Sequence, residues 1–165
     1  MPAFPNETPQ DRAARNRLLQ SELELRRKME TVAVELRALP DGGSVPEDYV
    51  FERIGPDGDA EQVRFSKLFG KSDTLMVYHM MLPRDSRDGR NGPLGGAFAK
   101  VPLADGPCPS CAALLDMWDG TMPHFEGLGG NLVIVAKAPA AQLAGFAAEK
   151  GWKNMRLVSA AQSSF

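Results

Sequence analysis

Two short apolar runs constrain this chain more than anything else in it. Leu75 to Leu82 carries His79 as its one strongly polar side chain, and Leu132 to Ala136 carries none. A strand with one wet face alternates apolar and polar residues. A run without that alternation reads as a strand covered on both faces, the mark of a parallel sheet in an α/β fold. Both runs are too short to span a bilayer. Each is followed by a helical pattern. Ala112 to Glu126 turns Leu114, Leu115, Trp118 and Met122 inward, and Pro123 ends or kinks its regular part. Pro139 to Lys150 turns Leu143, Phe146 and Ala147 inward, with Gly151 as a stop. Met155 to Ser159 is a third strand. Strand, helix, strand, helix, strand predicts right-handed crossovers and a parallel sheet with helices on its faces. Upstream, Tyr49 to Ile54 and Glu61 to Phe65 flank the turn Gly55 to Ala60 as a hairpin, and Ser66 is placed to cap a short helix.

Between the two apolar runs lies Cys108-Pro109-Ser110-Cys111, which holds both cysteines of the 165 residues. A dithiol at the start of a helix, after a strand, is the arrangement of a redox site. The helix N-terminus presents unsatisfied N–H groups and the positive end of the helix dipole, and both favour a thiolate. The thiolate is the reactive form of cysteine. Residues three apart on a helix share a face, close enough for a disulfide after small adjustment. Pro109 suits the first turn, having no N–H to leave unpaired. Competing readings are an inert disulfide, two buried thiols, or a zinc site recruiting His79 and His124, which lack the usual paired spacing. His79 is read first as a packed core or rim histidine and second as a residue that tunes the thiols.

Other motifs fall away. Gly70-Lys71-Ser72 ends like a phosphate-binding loop, but Phe65 stands where its first glycine is required. No motif implies a cofactor. A formal net charge of −2 gives no reason to expect nucleic-acid binding, and 43% hydrophobic residues are enough for a packed core. The first residues show no basic segment followed by an apolar one, so the expected location is the cytoplasm, where a CxxC is more often catalytic or metal-binding than structural.

Residues 1–9 read as a flexible leader and residues 10–39 as a long amphipathic helix. Leu18, Leu25, Met29, Val32, Leu36 and Leu39 draw one apolar stripe along it. Such a stripe needs a cover, either the rest of the chain or a second copy. Residues 45–165 form the main domain. Within it, residues 83–107 are a long connection rich in Gly, Pro, Arg and Asp, read as a solvated loop. Its Arg84, Arg87 and Arg90 are candidate partners for a thiolate or an anion.

The chain resembles the DUF899 family of bacterial proteins, and through it thioredoxin-like proteins related to the alkyl-hydroperoxide-reductase and thiol-specific-antioxidant group. The resemblance is carried by Glu35-Leu36-Arg37-Ala38-Leu39-Pro40, Asp48-Tyr49-Val50-Phe51-Glu52, Val77-Tyr78-His79-Met80-Met81 and the Cys108 to Cys111 segment. Ala138-Pro139, Gly151-Trp152 and Ser163-Ser164-Phe165 complete it, so that it covers most of residues 15–165. It implies an α/β, thioredoxin-like three-layer sandwich: a central, mostly parallel sheet with helices on both faces, plus the long N-terminal helix. It also implies a dithiol oxidoreductase role. Thioredoxin-like proteins continue into an antiparallel hairpin and a closing helix, which the sequence to Phe165 does not contain, so an open sheet edge is expected. Peroxiredoxins place a threonine three residues before the attacking cysteine. Asp105 and Cys108 occupy those positions here, which disfavours a peroxidase.

The expected function is therefore thiol–disulfide exchange with a protein or small-molecule disulfide. Cys108 attacks and Cys111 resolves, with Pro109, Ser110 and His79 in support. The alternative is a non-catalytic binding or assembly module. No nucleic acid, membrane, cofactor or metal is expected as a partner. A homodimer through the N-terminal helix or the open sheet edge is.

Overall fold

A computed structural model describes residues 4–40, 42–85, 87, 89 and 105–165. The chain forms two compact units, Met1–Ser44 and Val45–Phe165.

The first unit is built on helix α1, Pro9–Arg37. The helix starts one residue earlier than its apolar stripe suggests, because Thr8 and Asp11 form a reciprocal capping box. The Asp11 N–H donates to Thr8 Oγ1 at 3.2 Å, and the Thr8 N–H donates to Asp11 Oδ2 at 3.1 Å. Pro9 occupies the first turn, where its missing N–H costs nothing. From Phe4 on, the segment read as a flexible leader is folded onto this turn. Glu7 pairs with Arg12, and the Arg15 guanidinium lies 4.4 Å from the centre of the Phe4 ring. No residue of α1 is buried, and the stripe from Leu18 to Leu39 is half exposed or more throughout.

The second unit is a mixed α/β domain on a five-stranded sheet in the order β2-β1-β5-β4-β3. β1, Val50–Ile54, and β2, Ala60–Arg64, form the expected hairpin, antiparallel from Val50↔Arg64 to Ile54↔Ala60. Gly58 takes φ +86 in its turn, a conformation that glycine adopts without strain. Helix α2, Phe65–Leu68, follows at once. Its first turn is satisfied by Asp48, not by Ser66. The Ser66 N–H donates to Asp48 Oδ1 at 2.8 Å and its hydroxyl to Oδ2 at 2.9 Å.

β3 (Met76–Met80), β4 (Leu132–Ala136) and β5 (Leu157–Ser159) are parallel, as the strand–helix alternation predicts. β5 then pairs antiparallel with β1. All five residues of β4 are buried, so it is an interior strand covered on both faces. β3 is not. Among the described residues it pairs with β4 alone, and of its five residues only Met80 is buried. The apolar run from Leu75 to Leu82 misleads because Met76, Val77 and Met81 are exposed at the sheet edge.

Helix α3 (Pro109–Asp119), α4 (Met122–Gly127) and α5 (Ala140–Lys150) complete the domain. The break at Gly120 falls just before Pro123, which sits in the first turn of α4. Gly151 ends α5 at φ 73 in the left-handed region. β4 separates two cores by its alternation. Leu132, Ile134 and Ala136 pack with Cys111, Ala112 and Leu115 of α3 and with Leu143 and Phe146 of α5. Val133 and Val135 pack with Val158, Phe51 and Leu68. Thus α3 and α5 share one core. Among the described residues, the other draws on the single turn α2, through Phe65 and Leu68, and on Tyr49, Ala160 and Phe165, a thinner cover than helices on both faces. The Phe165 ring lies 5.1 Å from each of Tyr49 and Phe51. Lys137 Nζ holds the terminal segment by donating to the carbonyls of Phe165 at 2.6 Å and Ser163 at 3.2 Å.

Candidate functional site: the Cys108–Cys111 dithiol

Helix α3 begins where the sequence predicts, with Cys108 as its N-cap, Pro109 at its first position and Cys111 at its third. The Ala112 N–H donates to the Cys108 carbonyl at 3.0 Å and closes the first turn. Cys108 stands at the positive end of the helix dipole, which favours a thiolate, although its side chain makes no capping hydrogen bond to the first turn. Both cysteines are thiols, not joined in a disulfide.

The segment before the helix is fastened to the end of β3. The Cys108 N–H donates to the Met81 carbonyl and the Arg84 N–H to the Gly106 carbonyl, each at 2.9 Å. These two bonds bracket Leu82, which is buried in the same core as the thiols. Arg84 is the one buried charged residue among the described residues, at 4% exposure. Arg87 is exposed and paired with Asp85 at 2.7 Å. Arg90 and the rest of the connection up to Ala104 lie outside the described residues.

Both sulfurs are covered: Cys108 is 0% exposed and Cys111 4%. Pro109 is half-buried and Ser110 exposed, so the linking pair forms the outer surface of the motif. Asp105 is exposed, and its carbonyl accepts from Gln142 at 3.0 Å.

His79 does not reach the dithiol. Successive strand residues face opposite sides of a sheet. His79 is exposed and lies 6.4 Å, ring to ring, from Phe165 on the other face. The ring that shares the thiol core is that of Tyr78. It meets Trp118 edge-on at 5.2 Å. Burial first, then the neighbouring Cys111 and Cys108 thiols, push the Tyr78 phenol up to about 12. Tyr78 is not among the site residues expected from the sequence. The signal was present: a tyrosine in an apolar strand before a dithiol must find a partner for its hydroxyl.

His124, the other zinc candidate, is exposed on α4. Among the described residues, no three His, Cys, Asp or Glu side chains come together in a way that could hold a metal ion. Among the same residues, no helix is long and apolar enough to cross a membrane.

A family model described as a bacterial protein of unknown function (DUF899) matches residues 2–165. The chain belongs to the DUF899 family. No curated protein and no solved structure matches it. The DUF899 match takes in both units and the dithiol.

Proposed function

We propose that this DUF899 chain is a thiol–disulfide oxidoreductase with a thioredoxin-like core, acting through Cys108 and Cys111. The observation that carries this reading is the placement of the two thiols at the N-cap and third position of α3, after a parallel strand. The Cys108 thiolate attacks a partner disulfide. A Cys108–partner S–S bond forms, the partner's own S–S bond breaks, and the departing thiolate takes a proton. Cys111 then gives up its proton and attacks Cys108 Sγ. The Cys108–Cys111 bond forms and the second partner thiolate leaves. In sum, two electrons and two protons pass from the protein dithiol to the partner disulfide. Pro109 and Ser110 set the span between the sulfurs. The substrate class is a protein or small-molecule disulfide, and the compartment that fits is the cytoplasm, where thiols are kept reduced. A peroxidase remains the weaker reading, because Asp105 and not threonine precedes Cys108 by three residues.

The test is a titration in glutathione and dithiothreitol buffers, counting thiols by alkylation and intact mass. A reversible two-electron transition between about −270 and −120 mV places the chain among exchange catalysts. Thiols that never pair, or a disulfide that resists reduction, overturn the reading.

A second reading, a binding or assembly module, is favoured by the complete burial of Cys108, since reactive cysteines are usually partly exposed. The exposed stripe of α1 and the outer edge of β3, which pairs with β4 alone among the described residues, are the surfaces it would use to form a homodimer. Replacing both cysteines with serine separates the two readings: a folded protein with unchanged biological activity favours assembly. Removing residues 1–39 and measuring mass in solution identifies the surface, because a dimer that persists does not use α1.

A further inference from the structure

We propose that the gap between β1 and β5 is a binding site for a small organic carboxylate, anchored by Arg156. The site is separate from the dithiol and does not rest on the exchange reading. It lies at the N-terminal end of β5, whereas the thiols follow the C-terminal end of β3. Its inner wall belongs to the core of Leu68, Val133 and Val158, not to the core of Cys111.

The gap follows from strand pairing. β1 and β5 are neighbours in the sheet, but they are in register only at Glu52↔Ser159. Continued antiparallel pairing would set Arg53 against Val158 and Ile54 against Leu157. Instead β1 stays with β2 as far as Ile54, β5 stays with β4, and the two pairs part. The cavity between them has a volume of about 360 Å³, at the small end of ligand pockets.

Two arginines and one acid line this cavity, and their pairing sets its charge. Arg53 Nε donates to Glu61 Oε1 at 2.6 Å, so these two charges offset each other. Arg156 is half-buried and donates to Asn131 Oδ1 and, at 2.7 Å, to the Leu68 carbonyl. Both acceptors are neutral, so its charge stands. A guanidinium has five N–H groups, and these bonds occupy two of them. Asn131 is itself fixed by donating to the carbonyls of Phe69 at 3.0 Å and Thr74 at 3.1 Å. The guanidinium is therefore held in place before any ligand arrives, which lowers the cost of binding. One standing positive charge on a planar fork suits a monoanionic carboxylate better than a phosphate dianion. The apolar lining suits an aromatic or short aliphatic body behind that carboxylate.

Benzoate and hexanoate are the probes. Isotope-labelled full-length protein is titrated with each and followed through its backbone amide NMR shifts. Saturable shifts at residues 53–56 and 155–158 are expected, with residues 108–111 unmoved. Benzamide has the shape of benzoate without the charge and is expected to bind roughly 10-fold more weakly or worse. Arg156→Gln keeps N–H donors for Asn131 and Leu68, loses the charge, and should weaken benzoate by roughly 10-fold or more. Ile54→Trp fills the cavity from its side, leaves Arg156 in place and should abolish saturation, so the inference stays testable if Arg156→Gln fails to fold. Equal binding of benzamide and benzoate, displacement of benzoate by inorganic phosphate, or unchanged affinity in the folded variants overturns the inference. So does the lack of a saturable shift with either probe at millimolar concentration. Shifts centred on residues 70–72 overturn it as well, since they would seat the anion in the neighbouring cleft that Arg156 shares with Lys71.

Discussion

Tyr78 and His79 are consecutive in β3, yet their rings serve opposite faces of the sheet. Tyr78 lies against Trp118 in the core that holds Cys111, and His79 lies against Phe165. The alternation of the strand assigns them to different cores, so one residue bears on the thiols and its neighbour does not.

The alkaline stability of the protein is expected to carry the signature of Tyr78. Burial and the neighbouring Cys111 thiol raise its phenol to about 12, above its unfolded value near 10. A folded-state value above the unfolded one means that the folded protein holds this proton more tightly. Its contribution is fully present below about pH 10 and is lost as pH rises through about 12. Urea midpoints of wild type and Tyr78→Phe, compared from pH 8 to above pH 11, should converge at the alkaline end. A constant difference across that range would show that the phenol does not titrate with folding.

The acid limb involves Asp48. The Ser66 N–H, followed by its hydroxyl and the nearby Arg64 and Lys67 charges, holds this carboxyl below its ordinary range. The stabilisation is therefore present above the unfolded value near 4 and is lost as pH falls through the lower folded value. Asp48→Asn should lower the melting temperature at neutral pH, with the difference shrinking below about pH 4. Thermal melts across that interval check the sign.

Asp116 joins the C-terminal half of α3 to the end of α5. It accepts from the Trp152 indole N–H at 2.9 Å and from Lys150 Nζ at 2.6 Å. Trp152 is buried, whereas the Lys150 pair is open to solvent and contributes little. Asp116→Asn keeps an acceptor for the indole and is expected to cost less than about 1 kcal/mol. Asp116→Ala leaves the indole N–H unpaired and is expected to cost about 1–3 kcal/mol. Equal losses in denaturant titrations of the two variants would place the stabilisation in the charge pair instead.

The two cores are expected to respond separately. Leu115 is fully buried beside Cys111 and Ala112, and Leu115→Ala should cost about 2–5 kcal/mol and speed alkylation of the thiols. Phe165 is only partly buried in the opposite cluster, so Phe165→Ala should cost less, about 2 kcal/mol, and leave thiol alkylation nearly unchanged under native conditions. Alkylation rates measured alongside stability distinguish local loosening from general loss of structure.

Much of this was legible in the residues. The hairpin of β1 and β2, the fully buried β4, the stop at Gly151 and the dithiol at the start of α3 depend on local pattern and turn chemistry, which sequence carries directly. Strand order does not. The run from Leu75 to Leu82 is as apolar as a central strand, and only the pairing shows that β3 lies at an edge. His79 was drawn toward the thiols by its chemistry, but a period of two places it on the other face. Caps contributed by distant residues are equally silent: Ser66 looks like a cap, while the acceptor is Asp48, eighteen residues upstream.

The two backbone bonds between Met81 and Cys108 and between Arg84 and Gly106 work as a clasp at the base of the intervening connection. A clasp sets the thiols by what it grips and takes no account of how much chain passes between. The register of the thiols against β3 is therefore decided at two gripped points, and loosening either grip should free the dithiol from the strand.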